Sequence, residues 1–322
     1  MRRILTIDGG GVRGIIPATL LASLERTTGR PARDTFDFAA GSSTGAIVAG
    51  GVVAGVSASR LADVYADRAP DLFRRIPVVS DLSRFFRGEM YDTRRLHALI
   101  RDELPEIARD WVLNDAPIDV LITGKRLTDG MPWYFVRDNP SNACRAGSVG
   151  LADAMTASAA APTYFAPWMI SGIGELIDGG IGVAGNPVYQ ACVEAFHYSE
   201  GYDPAATVVV SLGTGRVLLR ERPTWLPSWL GWTLSELLRS PGEQQTELVH
   251  RHWPEAAFYR IDLELPRDIG LDAVDQLGSL RRMGEVLAAT VDWDAILAGT
   301  DEVHRITAGM DLPREYCRSG PT

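Results

Sequence analysis

The sequence has few cysteines, no long apolar run and no excess of basic residues, and each shortage excludes a class of protein. Its three cysteines, Cys144, Cys192 and Cys317, form no CxxC pair, which argues against a zinc site or a disulfide framework. The longest apolar stretch, residues 46–58, is too short and too rich in glycine to span a bilayer. A net charge of −9 argues against a nucleic-acid partner, which requires Lys and Arg to neutralise phosphates.

Residues 1–8 pass straight into a strand-like run, so the sequence indicates no signal peptide. Together with the unpaired cysteines, this predicts a soluble, cytoplasmic protein. We expect neither a metal ion nor a cofactor.

The 322 residues, 46% hydrophobic and 23% charged, are typical of a globular protein with a sizeable core. Short apolar runs typical of strands alternate with segments of helical periodicity. The predicted strands are residues 3–7, 36–40, 118–123, 133–136 and 207–212. This alternation predicts an α/β fold of three layers, a mostly parallel central sheet with helices on both faces.

A stretch rich in proline and tryptophan, residues 222–241, is the one clear change in composition. We interpret it as the junction between a catalytic core, residues 1–215, and a C-terminal helical cap or extension, residues 216–322, packed on the same domain. In this stretch Trp225, Trp229 and Trp232 have helical spacing, and tryptophan favours bilayer interfaces. Two interpretations stay open, a helix packed on the core and a lid that contacts lipid.

The strongest motif is Gly41-Ser42-Ser43-Thr44-Gly45, a match to GxSxG. The pattern needs a strand before it and a helix after it, so that a tight turn presents the serine hydroxyl. The apolar run before Gly41 and the helical run after Gly45 supply both. The helix N-terminus also favours the negative charge that develops when Ser43 attacks. An ordinary Gly/Ser-rich turn is the alternative.

A second glycine motif, Asp8-Gly9-Gly10-Gly11-Val12-Arg13-Gly14, also lies between a strand and a helix. Its N–H groups are free to point at an anion. Gly9, Gly11 and Gly14 also fit GxGxxG, so a dinucleotide site is the alternative. Such a site needs an acidic residue at the end of the next strand, where this chain has the GxSxG motif. The loop therefore suits an oxyanion better than a pyrophosphate.

A third motif, Glu175-Leu176-Ile177-Asp178-Gly179-Gly180, places an acidic residue at a strand end, before two glycines that can turn it into a cleft. An Asp-Gly hairpin turn is the alternative. A serine nucleophile needs a base, and no histidine has the sequence context of a triad partner. Asp178 is then the best-placed candidate. The five histidines are His97, His197, His250, His252 and His304.

These three motifs, in this order, resemble those of the patatin-like phospholipase family. The resemblance implies a patatin-like fold and a Ser–Asp dyad without histidine, with Ser43 as nucleophile and Asp178 as base. It also implies oxyanion donors at the amides of Gly10 and Gly11, with Arg13 shaping their loop. Similar stretches continue at residues 157–165, 186–187 and 211–215. Two positions depart from the family pattern: Ser42 stands where threonine is frequent, and Asn186 is not doubled.

The activity implied is that of a serine lipid acyl hydrolase, of phospholipase A or lysophospholipase type, which cleaves fatty-acyl esters through an acyl-serine during transient contact with a membrane surface. Three alternatives remain, a nucleotide-binding protein, a catalytically silent binding module, and a transacylase or small-ester hydrolase. The opening segment, residues 7–17, also resembles bacterial patatin-like effectors of cyclic-nucleotide antiphage systems. That resemblance implies a cyclic-nucleotide activator and a peripheral location on the inner membrane face when active. A homo-oligomer also stays open.

Overall fold

The computed structural model describes residues 1–73, 89–142, 146–217, 223–225, 229, 241–300 and 305–309. Within these residues, nine strands form a single sheet. The strands are β1 (Arg2–Ile7), β2 (Phe38–Gly41), β3 (Asp119–Arg126), β4 (Pro132–Val136), β5 (Trp168–Ile170), β6 (Gly174–Asp178), β7 (Thr207–Leu212), β8 (Ala257–Glu264) and β9 (Arg305–Gly309). Their spatial order is β5-β6-β3-β2-β1-β7-β8-β9, and β4 pairs with β3 outside this path.

Ten α-helical segments accompany the sheet in the described part of the chain. They are α1 (Ile15–Thr28), α2 (Ala32–Thr35), α3 (Thr44–Ala54), α4 (Ala58–Leu72), α5 (Thr93–Glu103), α6 (Leu151–Ala159), α7 (Val188–Val193), α8 (Pro241–His252), α9 (Leu277–Ala288) and α10 (Trp293–Ala298). A short 3-10 helix, Gly11–Gly14, precedes α1.

Alternate residues of the strands pack into two separate hydrophobic cores, one on each face of the sheet. Leu5 and Ile7 of β1 belong to the larger core, formed with α1, α3, α4, α5, α6, α9 and α10. Ile4, between them in the chain, belongs to the smaller core, formed with α7 and α8. Successive side chains of a strand point to opposite faces, so these cores confirm the predicted three-layer α/β fold.

The sheet is parallel through its centre and antiparallel at one side. β1 pairs in parallel with both β2 and β7, and β8 and β9 continue the parallel run. β4 and β6 both pair with β3 in the antiparallel sense. The strands β2 and β3 lie on one side of β1, and β7 and β8 lie on the other, so the strand order reverses at β1. Ligands of such sheets bind at this point, beyond the carboxyl ends of the strands. The loops after β1, β2 and β7 meet at that edge.

The helices follow from local sequence features. α3 is apolar on all sides and almost wholly buried, because it lies between the sheet and other helices. α4 and α5 have one apolar face each and begin at N-cap residues, where the side chains of Ser57 and Asp92 accept backbone N–H bonds. α1 ends at Gly29, which has the left-handed conformation of a helix C-terminus (φ 65°).

The part of the chain after residue 216 differs from the expected helical cap. β8 and β9 extend the central sheet, and α9 packs directly on α1. The predicted extension is therefore partly a continuation of the sheet rather than only helical. The sequence-based expectations also lacked α4 and α8.

Several expected features lie wholly or partly outside the described residues, including Cys144, Cys317, His304, Trp232 and most of residues 222–241. Cys192 is a buried free thiol. Trp225 and Trp229 are exposed, by 64% and 42%. No helix in the described ranges combines the length and the apolar character needed to cross a bilayer.

Candidate active site

Ser43 occupies a sharp turn between β2, which ends at Gly41, and α3, which begins at Thr44. Its φ of 54° and ψ of −124° are unusual for a residue with a side chain, and this strain is expected where a strand–helix turn presents a nucleophile. A Cβ at Gly41 would meet the Gly45 carbonyl, and a Cβ at Gly45 would meet the Ile7 carbonyl. Both glycines are therefore needed for β1, β2 and α3 to approach this closely.

The side chain of Asp178 lies at the end of β6 and is only 1% exposed. The Ser43 side chain lies beside this carboxylate, close enough to lower its pKa. The Gly180 N–H donates to the same carboxylate, 2.7 Å from Oδ1. The structure thus brings together the nucleophile and base candidates, which are far apart in the sequence.

Burial raises the pKa of Asp178 to about 6, because a buried carboxylate loses its hydration. The neighbouring Ser43 side chain and the Gly180 N–H oppose this rise in pKa but do not cancel it. A carboxylate whose pKa lies nearer neutrality is a better proton acceptor than one at the ordinary aspartate value.

The C-terminal end of α6 holds the Ser43 and Asp178 segments together. The Ser158 hydroxyl accepts a hydrogen bond from the Ser43 N–H at 2.9 Å. The Ser158 carbonyl accepts one from the Gly179 N–H at 3.4 Å, and the Ala160 carbonyl one from the Asp178 N–H at 3.0 Å. A single helix end therefore fixes the spacing of both side chains.

This role of Ser158 was not among the predictions from the sequence. The residue falls in the segment 157–165 that resembles the family, but nothing in the local sequence shows which backbone group its hydroxyl meets. The second hydroxyl at the turn, Ser42, is fully buried and accepts a hydrogen bond from Thr123 at 2.9 Å. Ser42 is therefore occupied in joining β2 to β3.

The glycine loop that follows β1 lies against Ser43. A Cβ at Gly9 would be 3.2 Å from the Ser43 Cβ. The Gly9 N–H donates to the Gly185 carbonyl at 2.9 Å, and the Val12 N–H to the Leu271 carbonyl at 2.8 Å. Among the described residues, the N–H groups of Gly10 and Gly11 have no hydrogen-bond partner. These two amides are available to an anion bound beside Ser43.

Side chains from two directions fix the shape of this loop. Arg13 Nε donates to the Gly10 carbonyl at 3.1 Å, and its Nη1 to the Gly215 carbonyl at 3.5 Å. Thr214 Oγ1 donates to the Gly9 carbonyl at 2.6 Å. Gly14 completes the loop where a Cβ would meet the Tyr65 hydroxyl. The resemblance to the patatin-like family had implied that Arg13 shapes this loop.

The dinucleotide alternative lacks its acidic residue in this structure. Asp37 precedes β2, at the end of the strand away from the glycine loop, and accepts hydrogen bonds from Arg2 Nη1 and the Arg3 N–H. The carboxyl end of β2 carries Ser42 and Ser43 instead. A ribose at the loop would therefore find no carboxylate at the expected strand end.

Two cavities of different character meet at Ser43. One, the apolar cavity, is lined almost entirely by apolar surface and extends between α3, α4 and α5. Its walls include Ile47, Leu61, Leu72, Leu96, Leu99 and Phe165. The other, which we call the polar cavity, has a lining of mixed polar and apolar surface and contains the glycine loop, with Arg13, Arg216 and Glu243 at its sides. Ser43 and Gly11 line both.

The described histidines lie away from Ser43, and none of those four lines either cavity. His97 stacks on Trp168 and lies 3.0 Å from the Thr156 hydroxyl. The side chain of His252 is 2.8 Å from the Tyr189 hydroxyl. His197 and His250 contact aromatic rings on the other face of the sheet.

Asn186 is the single asparagine after the third motif, and both polar atoms of its side chain form hydrogen bonds. Its Oδ1 accepts the Val188 N–H at 3.0 Å, at the start of α7. Its amide nitrogen donates to the Gly242 carbonyl at 3.2 Å. One asparagine therefore joins α7 to α8 beside the polar cavity.

Comparisons with known proteins agree with the motifs. The model of the family "Patatin-like phospholipase" matches residues 5–192. The chain is 32% identical to "cGAMP-activated phospholipase" of Vibrio cholerae, over 89% of this chain and 90% of that protein. It is 33% identical to the Escherichia coli protein of the same description, over 67% of this chain and 62% of that protein. The solved structure of VipD from Legionella pneumophila is similar at a TM-score of 0.43 and 10% identity, over 90% of this chain and 67% of that one.

The reactivity of Ser43 is expected to depend on pH through Asp178. A carboxylate accepts a proton only when ionised, and burial raises the pKa of Asp178 to about 6. The rate of covalent labelling of Ser43 by a fluorophosphonate should therefore rise with pH, with a midpoint near 6, and level off above about 7. The reaction is quenched at successive times at each pH between 4.5 and 8.5, and mass spectrometry of the labelled protein gives this rate.

Asp8 requires a control, because burial raises its pKa to about 6 as well. The same midpoint is expected in the Asp8→Asn variant if Asp178 is responsible. A labelling rate that is flat across the range would contradict a role for Asp178 as proton acceptor.

Proposed function

We propose, because this chain belongs to the patatin-like phospholipase family, that it hydrolyses fatty-acyl esters of lipids through an acyl-serine intermediate. Ser43 is the nucleophile and Asp178 is its general base. The observation that carries the proposal is the position of the Ser43 side chain, next to a buried Asp178 and to the amides of Gly10 and Gly11, which have no hydrogen-bond partner among the described residues.

The first step is attack by the Ser43 oxygen on the ester carbonyl while its proton passes to Asp178. The carbonyl oxygen becomes an oxyanion, which the N–H groups of Gly10 and Gly11 stabilise. When the tetrahedral intermediate collapses, Asp178 returns the proton to the departing alcohol. Water then attacks the acyl-serine while its proton passes to Asp178. The bond to the Ser43 oxygen breaks, Asp178 returns the proton to that oxygen, and the fatty acid leaves.

The oxyanion loop supplies the electrostatic part of catalysis. Loss of one preorganised donor of this kind typically costs about 10²- to 10³-fold in kcat. The amides of Gly10 and Gly11 need no reorganisation, because Arg13 and Thr214 already fix the carbonyls of their loop. The N-terminus of α3 at Ser43 adds a favourable dipole.

The two cavities support an amphipathic substrate. The apolar cavity accepts the acyl chain, since its walls offer little besides hydrocarbon and aromatic surface. The polar cavity accepts the glycerol and head-group side of the ester. Ser43 at their junction faces the bond between these two parts, which favours a lipid ester over a small water-soluble one.

Removing either member of the dyad should abolish turnover and leave the fold intact. We expect Ser43→Ala and Asp178→Asn each to lower kcat by about 10⁴-fold or more, because each change removes a group that acts only in the reaction. Mass spectrometry of the products from mixed phospholipid vesicles measures turnover, and circular dichroism reports folding.

Matched controls lie beside both residues. Ser42→Ala removes the neighbouring hydroxyl, which binds Thr123, and Glu175→Gln changes an exposed carboxylate on the same strand as Asp178. Both should keep kcat within about tenfold of the wild type. Near-normal hydrolysis by Ser43→Ala or Asp178→Asn would refute the dyad.

The exposed tryptophans Trp225 and Trp229 are proposed to contact the lipid surface during turnover. Tryptophan gains free energy at bilayer interfaces, and both side chains are well exposed. Trp229→Ala should weaken binding to phospholipid vesicles by about 3- to 10-fold in a flotation assay, as loss of one interfacial aromatic anchor would.

Ile107→Ala is the control, because Ile107 is an exposed apolar residue elsewhere, at 78%. Hydrolysis of a short-chain soluble ester should be unchanged in both variants. Vesicle binding by Trp229→Ala equal to that of the wild type would remove the tryptophans from the membrane contact.

We further propose that a cyclic nucleotide activates the enzyme. The support is the similarity to two proteins described as cGAMP-activated phospholipases, one of them over 89% of this chain. Addition of cyclic GMP–AMP should raise the vesicle hydrolysis rate by about 5- to 150-fold, the usual range of a coupling free energy.

A linear dinucleotide of the same bases and the Ser43→Ala variant serve as controls, and light scattering follows the oligomeric state. If cyclic GMP–AMP changes neither the rate nor the oligomeric state, nucleotide activation is wrong, while hydrolysis itself is still tested by the dyad variants.

A further inference from the structure

A buried arginine lies below the glycine loop, in a part of the chain that the family model does not match. Arg260 belongs to β8, and its side chain is 6% exposed. It pairs in register with Ser211 of β7. Arginine is almost never buried unless its charge is compensated, so the surroundings of this side chain show what it is there to hold.

The guanidinium group makes four hydrogen bonds. Nη2 and Nη1 donate to the two carboxylate oxygens of Asp8, at 2.6 and 3.0 Å. Nη2 also donates to Asp262 Oδ2 at 3.1 Å, and Nη1 to the Ser211 hydroxyl at 2.9 Å. The two bonds to Asp8 form the parallel fork that only the planar guanidinium can make with a carboxylate.

Each of the two carboxylates is tied to one of the loops at the active site. Asp8 is the residue that begins the glycine loop, directly before Gly9. Asp262 accepts the Gly215 N–H at 2.9 Å through its Oδ1. The turn that ends at Gly215 faces the glycine loop and binds it through Thr214 and Arg13. Arg260 therefore joins the start of the glycine loop to the carboxylate that binds the end of the facing turn.

We propose that Arg260 is a positioning residue, which holds the amides of Gly10 and Gly11 at Ser43 by fixing Asp8, which begins the glycine loop, and Asp262, which binds the Gly215 amide of the facing turn. This inference rests on the proposed function, because it assigns those amides to the oxyanion. Arg260 lines the polar cavity, but its guanidinium bonds go to Asp8, Asp262 and Ser211. Its effect passes through the backbone of the loop.

The Arg260→Lys variant separates charge from geometry. Lysine keeps a positive charge between the two aspartates but cannot form the parallel pair of bonds to Asp8. We expect kcat for phospholipid hydrolysis to fall by about 10- to 100-fold, as small displacements of catalytic groups do, with KM within about twofold. Arg60→Lys is the matched control, since Arg60 makes a similar fork with Glu103 far from the loop, at 2.9 and 2.8 Å.

Asp8→Asn provides a second, independent variant, with circular dichroism as the check on folding. It should lower kcat in the same way. The kcat of the double variant with Arg260→Lys should be about that of the more impaired single variant, because both changes break the same contact. If Arg260→Lys does not fold, Asp8→Asn alone tests the positioning role, through a fall in kcat with KM nearly unchanged.

The outcomes are distinct. A folded Arg260→Lys or Asp8→Asn protein with kcat equal to the wild type would overturn the positioning role, as would two effects that simply multiply in the double variant. A wild-type enzyme with no turnover above Ser43→Ala would instead overturn the proposed function.

Discussion

The site depends on one interaction, the contact between a serine side chain and a carboxylate that is almost completely removed from water. In solvent, a carboxylate is too weak a base to take a serine proton. Burial at the end of β6 raises the pKa of Asp178 to about 6, and only the Ser43 hydroxyl and the Gly180 amide oppose this shift. The proposed chemistry, without histidine, requires that Asp178 stays buried and that Ser43 stays within its reach.

The fold meets these two requirements by converging loops from several strands on one edge of the sheet. β1 supplies the glycine loop, β2 the strained turn at Ser43, and β7 the turn that clasps the loop. The end of α6 ties Ser43 and the Asp178 segment to a single helix. Rigid elements thus determine distances that a flexible loop could not maintain. The apolar and polar cavities that meet at Ser43 match the proposed amphipathic substrate.

Much of this was predictable from the sequence, because the motif residues and their strand and helix contexts are local. The glycines at 41 and 45, the loop from Gly9 to Gly14, and the pair Asp178-Gly179 are each recognisable within a few residues. The three-layer fold followed from the alternation of buried strands and helices. These features depend on backbone geometry, which glycine and strand–helix periodicity show directly.

The parts that were missed depend on contacts between distant segments. Ser158 reaches the Ser43 amide across 115 positions, and Arg260 reaches Asp8 across 252. Neither carries a local pattern, since a serine on a helix and an arginine on a strand are ordinary. The extension after residue 216 was misjudged for a related reason: whether the run at Ala257–Glu264 joins the sheet is decided by its pairing with β7.

The most direct test of the central claim is to trap the covalent intermediate. Purified protein is mixed with phospholipid vesicles, quenched with acid on the millisecond-to-second scale, digested and analysed by tandem mass spectrometry. The expected result is a fatty-acyl mass on the hydroxyl of Ser43, resolved from Ser42, and absent from Asp178→Asn. Sustained lipid hydrolysis with the acyl group on another residue would contradict the account.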